Sequence, residues 1–133
     1  MKSILFVDDH EVLARLSCEI LEMQGYKAVA AYTALDALRK FDQQAFDLVV
    51  TDFRMVDMNG LDLARRIRMR NPDIPVIIVT GYGPIEADHV NDCLSKDELY
   101  PKLIERIRII LGSVSDEAPA PPAPTALGRL GAD

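Results

Sequence analysis

Cysteine is scarce in this chain. There are two in 133 residues, Cys18 and Cys93, with neither the spacing of a metal site nor the even framework of a disulfide-stapled fold. Long apolar runs are also missing. No stretch approaches the roughly eighteen residues a membrane span requires. The N-terminal run Ile4-Leu5-Phe6-Val7 is broken at once by Asp8-Asp9, so it does not read as a signal peptide. Basic residues are outnumbered, 15 Lys and Arg against 21 Asp and Glu, for a net charge of −6 and a pI near 4.9. That balance argues against a nucleic-acid-binding surface. The one basic stretch, Arg65-Arg66-Ile67-Arg68-Met69-Arg70, reads as the solvated face and end of a helix. No G-x-x-x-x-G-K-[ST] loop occurs, which disfavours a nucleotide-binding switch. No internal repeat is present. The expectation is a cytoplasmic protein that engages neither nucleic acid nor membrane.

What is present suits one domain with a sizeable core. Hydrophobic residues make up 49% and mean hydropathy is +0.05. Short apolar runs alternate with amphipathic segments, the pattern of βα units and a parallel sheet. Strands are predicted at Ser3–Val7, Lys27–Ala31, Asp47–Thr51 and Pro75–Thr80, with Pro75 at a strand start, where its missing N–H is tolerated. A helix is predicted over Glu11–Met23, with Leu13, Leu16, Ile20 and Leu21 inward and Gly25 closing it. A second spans Ala34–Gln43, with Leu35, Leu38 and Phe41 inward. Thr33 and Asp36 resemble its capping box. A third spans Gly60–Met69, with Leu61, Leu63, Ala64 and Ile67 inward, and Asn71-Pro72 stops it.

The segment Gly81–Asn91 carries Gly81, Gly83 and Pro84. Only Ile85–Val90 could be helical, too short a helix to stand without packing. A fifth strand is expected at Asp92–Ser95, and a last helix from Pro101 to Leu111, with Leu103, Ile104, Ile107, Ile110 and Leu111 inward. Residues 1–112 form the expected domain. Residues 113–133 contain Ala118-Pro119-Ala120-Pro121-Pro122-Ala123-Pro124, too poor in large apolar residues to order itself. They read as a Pro/Ala-rich flexible tail, with a proline-rich docking ligand as the alternative and no output domain expected after it.

Chemistry concentrates where the apolar runs end. Asp8 and Asp9 end the first, Asp52 ends Leu48-Val49-Val50-Thr51, Thr80 ends Val76-Ile77-Ile78-Val79, and Lys96 follows Cys93-Leu94-Ser95. In a parallel sheet these side chains would meet at one edge, where open α/β sheets bind ligands. Crowded carboxylates repel, and a divalent cation relieves them. All-oxygen ligation with few carboxylates favours Mg2+. A carboxylate beside a metal, an ammonium and a hydroxyl is suited to accept a phosphoryl group. The bland alternative is a surface acid cluster with a nearby lysine.

Across about residues 2–112 the chain resembles the receiver domain of bacterial two-component response regulators. Asp8-Asp9 match the acidic pair, Asp52 the phosphoryl acceptor, Thr80-Gly81 the switch hydroxyl and the small residue after it, and Lys96 the lysine. Gly25-Tyr26 and Met58-Asn59-Gly60 match two turns. The resemblance implies a doubly wound five-stranded parallel sheet of flavodoxin-like order 2-1-3-4-5. It implies that Asp9, Asp52 and the backbone carbonyl of Arg54 hold Mg2+, with Asp8 acting mostly through water. It also implies a histidine kinase or histidine phosphotransferase as donor, an unidentified downstream protein, and a monomer or weak dimer.

Four departures stand out. Val56 replaces a common proline, Asp97 replaces the proline after the lysine, and Cys93 replaces the aromatic that accompanies the switch. The interval from Thr80 to Lys96 is about six residues short, worth roughly 9 Å of helix, so the helix between strands four and five is expected to be short or absent.

His10 reads as a solvent-facing residue at a helix start, His89 as superficial, and Cys18 as structural. Tyr82 and Tyr100 are placed in loops near the site. Arg54, two residues past Asp52, is either a surface arginine or a cation at the site's mouth. Three functions compete. One is a phosphoacceptor signalling module that is no enzyme beyond its own phosphorylation and dephosphorylation. Another is an aspartyl-nucleophile phosphatase, disfavoured because Arg54 stands where that class needs an acid. The third is a receiver-like adaptor that works without phosphorylation.

Overall fold

A computed structural model describes residues 1–80, 92–95 and 99–112, the side chains of 92–95 and 99–101 excepted. The elements follow in the order β1 (Ser3–Val7), α1 (Glu11–Met23), β2 (Lys27–Ala31), α2 (Ala34–Gln43), β3 (Leu48–Asp52), α3 (Gly60–Arg70), β4 (Val76–Thr80), β5 (Asp92–Ser95) and α4 (Leu99–Leu111). The strands form one parallel sheet in the order β2-β1-β3-β4-β5, the doubly wound arrangement that the resemblance implies.

Strand side chains alternate between faces, and each face has its own core. Ile4, Phe6, Leu48, Val50, Ile77 and Val79 pack with Ala14, Cys18 and Leu21 of α1 and with Leu103 and Ile107 of α4. Leu5, Val7, Val49 and Val76 pack with Ala34, Ala37 and Leu38 of α2 and with Leu63, Ala64 and Ile67 of α3. Cys18 is a buried, free thiol. Burial pushes it up to about 11, with the Glu22 charge adding and Lys40 opposing. A thiol so placed is inert, in keeping with a structural role.

The helix ends have identifiable causes. Gly25 adopts a φ of 98° just past α1. Its N–H donates to Glu22 O (3.0 Å), and that of Tyr26 to Leu21 O (3.2 Å). This is a Schellman turn, and Tyr26 and Leu21 share the first core. Thr33 Oγ1 accepts from Asp36 N at 3.0 Å, half of the expected capping box. The Asp36 carboxylate instead pairs with Arg39 and Lys40. Lys40 Nζ also donates to Ala30 O at 2.6 Å.

Several expectations need correction. The buried stripe of α1 is Ala14, Ser17, Cys18 and Leu21, while Leu16 is 47% exposed. On α2, Leu35 is 62% exposed, and Ala34 and Ala37 lie inward. Small residues take the inner positions because helix and sheet approach closely there. The third strand runs one residue later than expected, so Asp52 is its last residue. The fourth starts at Val76, and α3 extends to Arg70. The last helix begins at Leu99, so Tyr100 lies in a helix and Pro101 falls third, still within the first turn, whose N–H groups need no helical partner. The expectations for Gly81–Asn91, including the reduced helix, Tyr82 and His89, lie outside the described residues. So do those for Lys96 and for the tail.

Candidate phosphoryl-transfer site

Register builds the site. Val7 pairs with Thr51, Asp52 with Val79, and Thr80 with Ser95. The carboxyl ends of β1, β3 and β4 therefore lie side by side. Asp8 follows β1 level with Asp52, and Thr80 ends the adjoining strand. Phe53 N donates to Val79 O at 2.9 Å, so the ladder continues one residue past Asp52.

Asp8, Asp9 and Asp52 converge. One oxygen of each lies within 4.8 Å of the others. Asp8 is 4% exposed and Asp52 6%, whereas Asp9 is exposed. Asp8 is fixed on both sides: its N–H donates to Ala31 O (3.0 Å), and its Oδ1 accepts from His10 N (2.9 Å). Two buried carboxylates and one exposed one, so close together, form an all-oxygen donor set that fits a hard divalent cation better than a soft one. Burial sharpens the need for a counter-charge. Thr80 is not an open edge residue but is 1% exposed. Arg54 is exposed. Lys96 lies outside the described residues, as does the side chain of Cys93, whose backbone is in β5.

The backbone of Asp52 is tightly held. Thr51 Oγ1 donates to Asp52 O at 2.9 Å. α3 begins directly against the same carbonyl: a Cβ added at Gly60 would stand 2.7 Å from Asp52 O and 3.2 Å from Phe53 Cα. Gly60 N donates to Phe53 O at 2.7 Å.

Three contributors escaped the sequence reading. His10 is exposed but is also the N-cap of α1, its Nδ1 accepting from Leu13 N at 3.2 Å. A histidine immediately before the amphipathic run was the only signal. Thr51 looked like one more strand residue. Asp57 accepts from Ala34 N (3.1 Å) and Leu35 N (2.9 Å) at the start of α2, and nothing local marks a cap that comes from so far along the chain. Burial pushes its carboxyl up, but the N–H groups of Leu35 and Ala34, its own and that of Met58 outweigh this and hold it below the ordinary carboxylate value.

A five-stranded parallel sheet with an acid cluster at the carboxyl end of its first and third strands defines the class of CheY-like signalling domains. The pattern of the response regulator receiver domain matches residues 4–108, and the chain belongs to that family. It is 37% identical to the transcriptional regulatory protein ZraR of Klebsiella oxytoca over 83 residues, 62% of this chain and 19% of that protein. It is 33% identical to the sensory transduction protein RegX3 of Mycolicibacterium smegmatis over 129 residues, 90% of this chain and 56% of that protein. The chain thus spans only a part of these curated relatives. Among solved structures, the response regulator TrrA of Thermotoga maritima in complex with Mg2+–BeF superposes with a TM-score of 0.76 at 31% identity, covering 83% of this chain and 99% of that one. TrrA is also seen in complex with the histidine kinase ThkA. The chain is therefore a signalling module of the two-component type. Among the described residues, no helix is long and apolar enough to cross a membrane.

Proposed function

We propose that the chain is a phosphoacceptor whose Asp52 receives a phosphoryl group from a phosphohistidine. The observation that carries this reading is the convergence of Asp8, Asp9 and Asp52 within 4.8 Å at the end of a central strand. A carboxylate oxygen of Asp52 attacks phosphorus, a P–O bond forms, the P–N bond to the donor imidazole breaks, and that nitrogen takes up a proton on leaving. Asp9, Asp52 and the backbone carbonyl of Arg54 would hold Mg2+, with Asp8 acting mostly through water. When bound, the ion neutralises charge on the acids and on the transferring group. Asp52 presents a nucleophile fixed by its strand, Thr80 donates its hydroxyl to a phosphoryl oxygen, and Lys96 supplies the balancing ammonium. The modified Asp52 then draws Thr80 and Lys96 toward it and shifts partner interactions.

The donor is a histidine kinase or histidine phosphotransferase. The kinase complex of TrrA supports this, and its Mg2+–BeF complex supports the cofactor. Residues 1–112 constitute the receiver domain and 113–133 an appended tail, in a cytoplasmic protein that is a monomer or weak dimer. Cys93 in place of the switch aromatic favours an output that does not depend on a rotating ring.

Incubation with acetyl phosphate and Mg2+, read by intact-protein mass, should add one phosphoryl group. The gain should vanish without the metal and in Asp52→Asn. Undiminished labelling of that variant would overturn the assignment to Asp52, and no labelling of the unmodified chain would favour an adaptor that acts without phosphorylation.

A further inference from the structure

Residues 53–59 join β3 to α3 and carry Arg54. Both ends of this loop are pinned by neighbouring elements. At one end, Phe53 N bonds to Val79 O and Phe53 O accepts from Gly60 N. At the other, Asn59 Oδ1 caps α3 through Asp62 N at 2.9 Å. Met55 and Met58 rest against the second core. Asp57 is different: it is exposed, yet both of its carboxylate oxygens are committed, one to Ala34 N and one to Leu35 N.

Those amides belong to a helix end that already has a cap. Thr33 Oγ1 holds Asp36 N, and Ala37 N bonds to Thr33 O. At α1 and α3 the cap is the N-cap residue's own side chain, His10 and Asn59. α2 receives a second, forked cap from a loop 22 and 23 residues away in sequence. The positive end of the helix dipole and two aligned N–H groups suit an ionised carboxylate, and the depressed Asp57 carboxyl agrees. An exposed contact of this kind contributes modestly to stability. Its geometric effect is larger, because three residues of chain reach at most about 11 Å, which limits how far Arg54 can stand from an anchored Asp57.

We propose that Asp57 is a positioning residue for phosphoryl transfer, tying the loop that carries Arg54 to the N-terminus of α2 and so fixing that loop's backbone relative to Asp8, Asp9 and Asp52. This rests on the reading of Asp52 as phosphoacceptor. The tie runs through the Ala34 and Leu35 amides and not through the Thr33 cap, which holds Asp36 N.

The test uses the full chain and three variants: Asp57→Ala, Asp57→Asn and Thr33→Ala. Mg2+ affinity is measured by calorimetry, acetyl phosphate labelling at saturating Mg2+ by mass, and exchange of the Ala34 and Leu35 amides by NMR. Asp57→Ala should keep its fold, expose both amides to exchange, weaken Mg2+ binding by about tenfold, as loss of an outer support does at metal sites, and slow labelling. Asp57→Asn, with one acceptor oxygen left, should fall between. Thr33→Ala weakens the same helix end without touching the loop, and should leave Mg2+ affinity as in the unmodified chain. If Asp57→Ala and Asp57→Asn bind Mg2+ and label as the unmodified chain does, or if Thr33→Ala weakens Mg2+ binding as much as Asp57→Ala, the positioning role is overturned while Asp52 remains the acceptor. If the unmodified chain neither binds Mg2+ nor labels, both readings fall together.

Discussion

The interior and the carboxyl rim of the sheet are built from the same strands but obey different rules. In the interior, β1 from Ile4 to Val7 and the whole of β3 and β4 are buried, and burial of apolar surface on two faces fixes each strand. Just past β1, and at the last residues of β3 and β4 themselves, the side chains become Asp8, Asp52 and Thr80, which are still buried. The rim therefore inherits its precision from the interior, while its own charges work against the fold. Stability and chemistry are separable here by a single step along the chain.

The largest effect should come from breaking the interior. Ile77 is fully buried on β4 in the first core, so Ile77→Ala should cost about 2–5 kcal/mol by loss of burial and a residual cavity. Urea unfolding would read the loss, and Asp52 labelling per folded molecule should be unchanged. A cost below about 1 kcal/mol would show that the site relaxes freely.

Gly60 stands on the border between the two regions. Gly60→Ala places a methyl 2.7 Å from Asp52 O, a backbone atom that cannot swing aside. An overpacking cost of about 1–3 kcal/mol is expected. Unlike Ile77→Ala, this variant should also shift the Asp52 and Phe53 amide resonances and slow labelling. Unchanged resonances would mean that α3 yields instead of the acceptor strand.

The smallest effect should have the opposite sign. Asp8→Asn keeps an oxygen for His10 N and removes one of three crowded charges, so without Mg2+ it should raise stability through relief of like-charge repulsion. The stabilisation that added Mg2+ confers by binding the folded state should shrink. A destabilised Asp8→Asn would show that the ionised carboxylate is itself a structural support of the β1–α1 turn.

The rim was legible in sequence because the inference needed only parallel strands. Once Ile4–Val7, Leu48–Thr51 and Val76–Val79 were read as strands, the residues ending them had to share an edge, and Asp8, Asp9 and Asp52 do converge. Helix limits were legible where a cap was local: Thr33 before α2, Asn71-Pro72 after α3, Gly25 after α1. Helix phase was less so. Weighting large apolar side chains turned α1 and α2 toward Leu16 and Leu35, whereas the close approach to the sheet selects Ala14, Ser17, Ala34 and Ala37. The bond from Asp57 to α2 was invisible because it joins residues 22 and 23 apart, and no periodic pattern records such a pair. The parts of the reading that concern Lys96 and the Cys93 side chain fall outside the described residues.

The contact between Lys40 and Ala30 has a bearing on how the molecule behaves in a crowd. β2 is the first strand of the sheet, and alternate carbonyls of an outermost parallel strand face away from its neighbour. Such a row can template another chain, and a lysine laid along it is one way proteins blunt the hazard. Lys40 Nζ already occupies the Ala30 carbonyl and is anchored by Asp36 at 3.2 Å. A strand approaching from outside must strip away this ammonium and desolvate it before forming its first hydrogen bond. The flank is thereby guarded against edge-to-edge aggregation by a side chain whose stem belongs to the covering helix.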